Sequence, residues 1–320
     1  MALFNNRLSF DITWYNSHTK DQYFDFPISA GYLYPNAYLN AGDVQNTGIE
    51  ATIGYQVIKQ QDLNWQTTVN FTHNRNKLIE LAPQLKGDYT ITPKGDNVNS
   101  YALKLHQGSS YGDIYGVKFK RADDGSILVN DNGRPIAQSG AMQFLGNPTP
   151  KFLLGWMNTV TWKQFTLNVL IDGRFGGKVM SITQAMLDEY GVSKSTADAR
   201  DGGGVDIAAT KASGGKFTGK IPADIFFGTV GGRAGITEYY MYDATNVRLR
   251  ELAIGYAIPV KAGLIKDLKI GLVGRNLFFF TKKAPYDPEL SMSTGNGVQG
   301  VDVFGLPATR SFGINLKCTL

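Results

Sequence analysis

Two segments near the end of the sequence alternate strictly between apolar and small or polar residues. In the first, Leu252, Ile254, Tyr256 and Ile258 share one face, with Ala253, Gly255 and Ala257 on the other. In the second, Leu268, Ile270 and Leu272 alternate with Lys269, Gly271, Val273 and Arg275. A period of two belongs to a β-strand, because successive side chains point to opposite faces. A short segment, KAGLIKD, joins the two strands, and the aromatic run Phe278, Phe279, Phe280 opens a longer connection rich in Gly and polar residues. Strand, short turn, strand, aromatics and long connection is the order of a membrane β-barrel hairpin. No run approaches the ~18 apolar residues of a membrane helix. Barrel strands are half polar, so a mean hydropathy of −0.19 is compatible with them.

The same alternation recurs along the 320 residues. It predicts strands at Leu8–Tyr15, Ile49–Val57, Trp65–Thr72, about 151–162, Phe165–Asp172 and Phe312–Leu320, eight in all with the opening pair. Connections after the first, third, fifth and seventh strands are long (18–43, 77–150, 177–241 and 281–306). Those after the second, fourth and sixth are short. Outer-membrane barrels sort short periplasmic turns from long extracellular loops in this way. Trp65, Trp162 and Tyr256 then fall near the short-turn ends, and Phe278–Phe280 near the long-loop ends, as two aromatic girdles. Glu50, Asn70, Asn168, Asp172 and Arg275 form the inward polar set. Within the long connections, Asp124-Gly125 and Asn132-Gly133 read as hairpin turns. The segment SITQAMLDEYG reads as a short helix closed by Gly191. The stretch RDGGGVDIAATKASGGKFTGK reads as loop by composition.

The net charge of +5 is spread without a basic stripe, so no nucleic-acid partner is expected. A lone cysteine, Cys318, excludes an internal disulfide framework, and His18, His73 and His106 are too dispersed for a metal site. Gly295–Gly300 fits GxGxxG, but a Pro-containing loop precedes it and VDVFGLP follows, which is no dinucleotide site. Asp287 and Glu289 are close in one loop, unlike carboxylates spaced across a sugar. No catalytic arrangement and no cofactor is expected, and the chain is not read as an enzyme. Tyr32, Tyr34 and Tyr38 in the first long connection are the candidate ligand or partner contacts. A soluble all-β glycan-binding or structural protein is the alternative reading.

Several stretches resemble a known family, the SusC/RagA-type TonB-dependent outer-membrane transporters of Bacteroidetes. These are LFNNRLSFDITWYNSHTKDQ, NAGDVQNTGIEATIGY, YGDIYG, LGNPTPKF, NVRLRELAIGYAIP and GRNLFFFTKKAPYDPE, in family order from residue 3 onward. The resemblance implies an all-β transmembrane antiparallel barrel of 22 strands, of which this chain would supply about eight with their long extracellular loops. Residues 1–320 would be the C-terminal part of the barrel, with plug domain and TonB box absent. It also implies import of complex nutrients, oligosaccharides or peptides, across the outer membrane. The implied partners are outer-membrane lipids, a SusD-like surface lipoprotein, the glycan or peptide substrate, and TonB through the missing N-terminal part. The NVRLREL stretch would then sit at the outer rim, where Arg248 and Arg250 pack against neighbouring loops. Leu320 departs from the aromatic residue that commonly ends such barrels.

Overall fold

The computed structural model describes residues 2–27, 36–81, 88–91, 100–260, 265–292 and 299–319. Eight long strands form one open antiparallel sheet in chain order: β1 (Leu8–Pro27), β2 (Asn36–Lys59), β3 (Leu63–Glu80), β4 (Phe152–Trp162), β5 (Phe165–Phe175), β6 (Asn246–Ile258), β7 (Asp267–Lys282) and β8 (Ser311–Thr319). The two residues Ala2–Leu3 pair onto the free edge of β1.

The register builds two unlike faces. Rows such as Phe10–Ile53–Val69–Trp156–Ile171 run across the strands, as do Leu167–Ile254–Leu272–Ile314. This face is apolar yet open: Ile12 is 63% exposed, Trp14 65% and Leu272 61%. Its polar exceptions are satisfied within the face. Trp65 Nε1 donates to Asn158 Oδ1 at 3.1 Å, and Trp156 Nε1 donates to Thr67 Oγ1 at 2.8 Å. The opposite face carries the polar set read from the sequence. Thr52 Oγ1 donates to Asn70, Thr159 Oγ1 to Asn168, and Arg275 Nε to Glu251.

Aromatic rows bound the apolar face. At the short-turn end, Phe165 stacks on Trp162 and meets the tilted ring of Tyr256. At the other end, Phe152 lies 4.6 Å from Phe175 and 5.8 Å from Phe71, while Phe278 meets Phe280. Strand β4 joins the two rows through 11 residues. At about 3.4 Å per residue and the usual tilt of about 40°, it covers about 25 Å, the height of a barrel's apolar band. Phe279 departs from the girdle expectation. It turns to the polar face, where the Arg248 guanidinium lies over its ring.

The connection expected at 18–43 is mostly strand. Strands β1 and β2 stay paired from Lys20–Asp43 to Pro27–Asn36. In this stretch the strict alternation of the sequence stops although pairing continues. The connections after β3, β5 and β7 fold together into a roof over the polar face. Residues Asp88–Thr90, Tyr101–His106, Asp113–Gly116 and Gln143–Gly146 form a four-stranded sheet. Helices α1 (Ile182–Glu189), α2 (Lys194–Asp201) and α3 (Ala223–Val230) pack beside it. Helix α1 matches the sequence reading, with Ser181 accepting from the Gln184 backbone N–H and Gly191 at φ +69°. The stretch read as loop by composition contains the strand Ala209–Lys211, paired with Ile127–Val129. Buried clusters cement the roof. Phe119, Ile127 and Val129 pack with Phe226, Phe227 and Ile236. Tyr101 and Leu103 pack with Met180, Ile182 and Val301. Val44 and Leu78 of the extended strands pack with Leu81 and Leu105.

Candidate functional site

The chemistry-bearing side chains collect on the polar face, where wall meets roof. There β6 carries a bulge between Leu249 and Glu251, and Asn276 takes a left-handed conformation (φ 52°) on β7. Arg248 and Arg250 thereby both reach carboxylates. Arg248 is 2% exposed and lies 3.6 Å from Asp172 and 3.2 Å from Asp287, with Glu289 also paired. Arg250 Nη2 donates to Asp172 at 2.6 Å and to Glu289 at 2.9 Å, while its Nη1 donates to Asn276 at 3.0 Å. Burial would push the Glu289 carboxyl up, but the Arg250 hydrogen bond and the Arg248 charge hold it below the ordinary carboxylate range. The network ties the segment carrying Asp287 and Glu289 to the wall. The two arginines thus pack against a neighbouring loop at the rim, and the carboxylate pair serves as their anchor.

Beside this network is a polar cavity of about 730 Å³. Asn46, Asn74 and Asn76 line it from β2 and β3, Arg174 from β5, and Tyr111, Thr149 and Gln299 from the roof. Asn46 Oδ1 accepts from both Asn74 and Asn76, and Asn76 Oδ1 accepts from the Tyr111 backbone N–H. Asn147 holds the neighbouring roof through Asp113, donating at 2.6 Å. Asn74 Oδ1 and Arg174 Nε are buried without a hydrogen-bond partner. The amide and guanidinium groups of the lining residues give the cavity a polar wall suited to hydrogen-bonding groups. Sequence reasoning missed these residues. Asn74, Asn76 and Arg174 lie past the end of the alternating stretches, and only their position on the inward parity carries a signal.

Tyr38 lies on β2 opposite Asp25 and not in a loop. Tyr32 and Tyr34 lie outside the described residues, as do the first four residues of the GxGxxG match. Gly300 of that match leads into Val301–Asp302, a strand parallel to Met180–Ser181, so no helix follows. Gly125 (φ +83°) and Gly133 (φ +82°) close the two predicted turns. Among the described residues no group of three His, Cys, Asp or Glu side chains is placed to hold a metal, and no helix is long and apolar enough to cross a membrane.

An open antiparallel sheet with one apolar and one polar face, roofed at one end, is a segment of a wide β-barrel wall. Comparison with known proteins agrees. TonB-dependent receptor P3 of Formosa agariphila is 27% identical over 346 residues, covering 99% of this chain and 33% of the relative. TonB-dependent receptor SusC of Bacteroides thetaiotaomicron is 21% identical, covering 98% and 30%. The solved RagAB peptide importer in its open-open state superposes with a TM-score of 0.67 at 18% identity, over 100% of this chain and 33% of that one. No protein-family model matches. The chain is similar over its whole length to SusC/RagA-type TonB-dependent receptors, and its sheet has the fold of part of their barrel. It spans about a third of the length of these relatives. They are named as receptors, and neither name assigns an enzymatic activity.

Proposed function

We propose that this chain is the C-terminal barrel part, residues 1–320, of an outer-membrane transporter that imports a complex nutrient, an oligosaccharide or a peptide, with energy delivered through TonB. The apolar outer face, bounded by aromatic rows and uncovered by the roof, carries this reading. In water such a face would be a large exposed patch; against lipid it is the expected surface. The polar inner face and the cavity lined by Asn46, Asn74, Asn76 and Arg174 support passage of a hydrogen-bonding solute. The roof offers the surface on which a SusD-like lipoprotein would close, and Tyr32, Tyr34 and Tyr38 remain candidate contacts for that partner or the substrate.

Two measurements test the reading. The protein should fractionate with outer membranes and leave them only in detergent; release into buffer as a monodisperse monomer would favour the soluble all-β alternative. Arg174→Gln should lower nutrient-dependent growth or uptake about tenfold at equal receptor abundance, the scale of one charged hydrogen bond. Unchanged uptake would remove the cavity from the route.

A further inference from the structure

The outward face does not end at its upper aromatic row. Beyond Trp14 and Ile49 the same parity continues through two aligned rows, Asn16–Thr47–Arg75 and His18–Gln45–Lys77, and then Lys20–Asp43. The neutral members and one carboxylate are occupied among themselves. Asn16 Oδ1 accepts from Gln45 Nε2 at 2.9 Å and from Thr47 Oγ1 at 3.1 Å, and Asp43 lies 2.8 Å from His18 Nδ1. Arg75 and Lys20 are exposed and Lys77 half-buried. Among the described residues, no carboxylate forms an ion pair with any of the three. Glu80 and Asp21 are the other acidic groups nearby; Glu80 pairs in register with Asp43 and Asp21 follows Lys20, both farther from the apolar band than Arg75 and Lys77. The roof packs on the other face of these strands, through Val44 and Leu78. A small cationic ledge therefore stands directly above an apolar band, uncovered by the described chain.

We propose that this ledge binds the phosphate of anionic lipid headgroups in the leaflet that meets the roofed end of the barrel. The inference rests on the membrane reading above. Lipid tails would lie against Trp14 and Ile49, and that depth puts a headgroup phosphate within reach of Arg75 and Lys77. Arg75 offers a planar fork suited to phosphate oxygens, and Lys77 and Lys20 add point charges beside it. A lipid is favoured over a protein partner because the ledge continues the apolar band without a break and carries the complementary charge.

The test uses the full-length protein in detergent, exchanged into bilayers of zwitterionic phospholipid doped with an anionic phospholipid. Retained lipid is counted by native mass spectrometry. The wild type should retain the anionic lipid preferentially. The double variant R75Q/K77Q should lose that preference about tenfold, and added salt should erode it. K77R alone should keep it, and K317Q, on the inward face near the opposite rim, should not alter it. Equal retention by wild type and R75Q/K77Q overturns the proposal, as does protection of Lys77 from amine modification by a co-purifying protein instead of lipid. Extraction without detergent is scored first and separately; it would overturn the membrane reading itself.

Discussion

Arg248 and Arg250 are two residues apart on one strand, yet their environments differ. Arg248 is almost wholly buried between carboxylates and the Phe279 ring, so removing it leaves Asp287, itself 9% exposed, without its counter-charge. Breaking a buried pair in this way costs about 3–5 kcal/mol. Arg250 is 28% exposed, and its loss should cost about 1 kcal/mol. Arg248→Ala should therefore expose the 283–292 segment to protease, whereas Arg250→Ala should change cleavage only slightly. Acid should act in the same direction as Arg248→Ala. The Glu289 pKa is lowered in the fold, so its contribution is present above the ordinary value of 4.5 and is lost as pH falls through the lower folded value. Amide protection across 283–292, taken against the intrinsic exchange rate at each pH, should be high at neutral pH and fall below about pH 4.5; protection that does not change on acidification would detach Glu289 from the latch. The sequence displayed all four charged residues in two motif-like stretches. It did not show that they meet, because the pairing spans different strands and depends on the bulge at Glu251.

At the scale of the element, a single step along a strand decides the fate of a charge. Val169 faces outward opposite Asn158 and Leu252, near the middle of the apolar band, while Asn168 faces inward opposite Thr159. Val169→Lys should cost about 2–4 kcal/mol and lower the yield of heat-modifiable folded protein, whereas Asn168→Lys should be nearly silent. Equal yields for the two variants would mean that the apolar face does not meet lipid. The same contrast explains which strands were legible. On the membrane reading, one face meets lipid and the other a wet interior, which enforces alternation, and all eight strands are legible from it. Strands β1 to β3 run on past that zone, and polar positions such as Asn16, Gln45 and Lys77 give no period to follow. Tyr38 stands in a stretch rich in aromatics, Gly and Pro, a composition that reads as loop.

At the scale of the whole molecule, the roof was the least legible part. Its cores are assembled from residues far apart in sequence, such as Phe119 with Phe226 and Tyr101 with Val301. Apart from the turns at Gly125 and Gly133, most of the contributing segments carry no periodic pattern that announces an element alone. Helix α1 is the exception, because its Ser cap and terminal Gly are local signals. Phe226 is fully buried against Phe227 and Tyr239, so Phe226→Ala should destabilise the roof by about 3–5 kcal/mol. Residues 100–240 should become protease-sensitive on intact cells while the wall stays heat-modifiable. Joint loss of both would mean that roof and wall fold as one cooperative unit.

The composite cores also dictate an order of assembly. They draw on the connections after β3, β5 and β7, so on the membrane reading proposed above they condense only when all three have emerged on the same side. On that reading each connection crosses before the cluster around Phe226 and Tyr240 forms, and its condensation makes insertion one-way. Protease added during biogenesis should cut within 100–240 early, and cease to do so once the wall has become heat-modifiable.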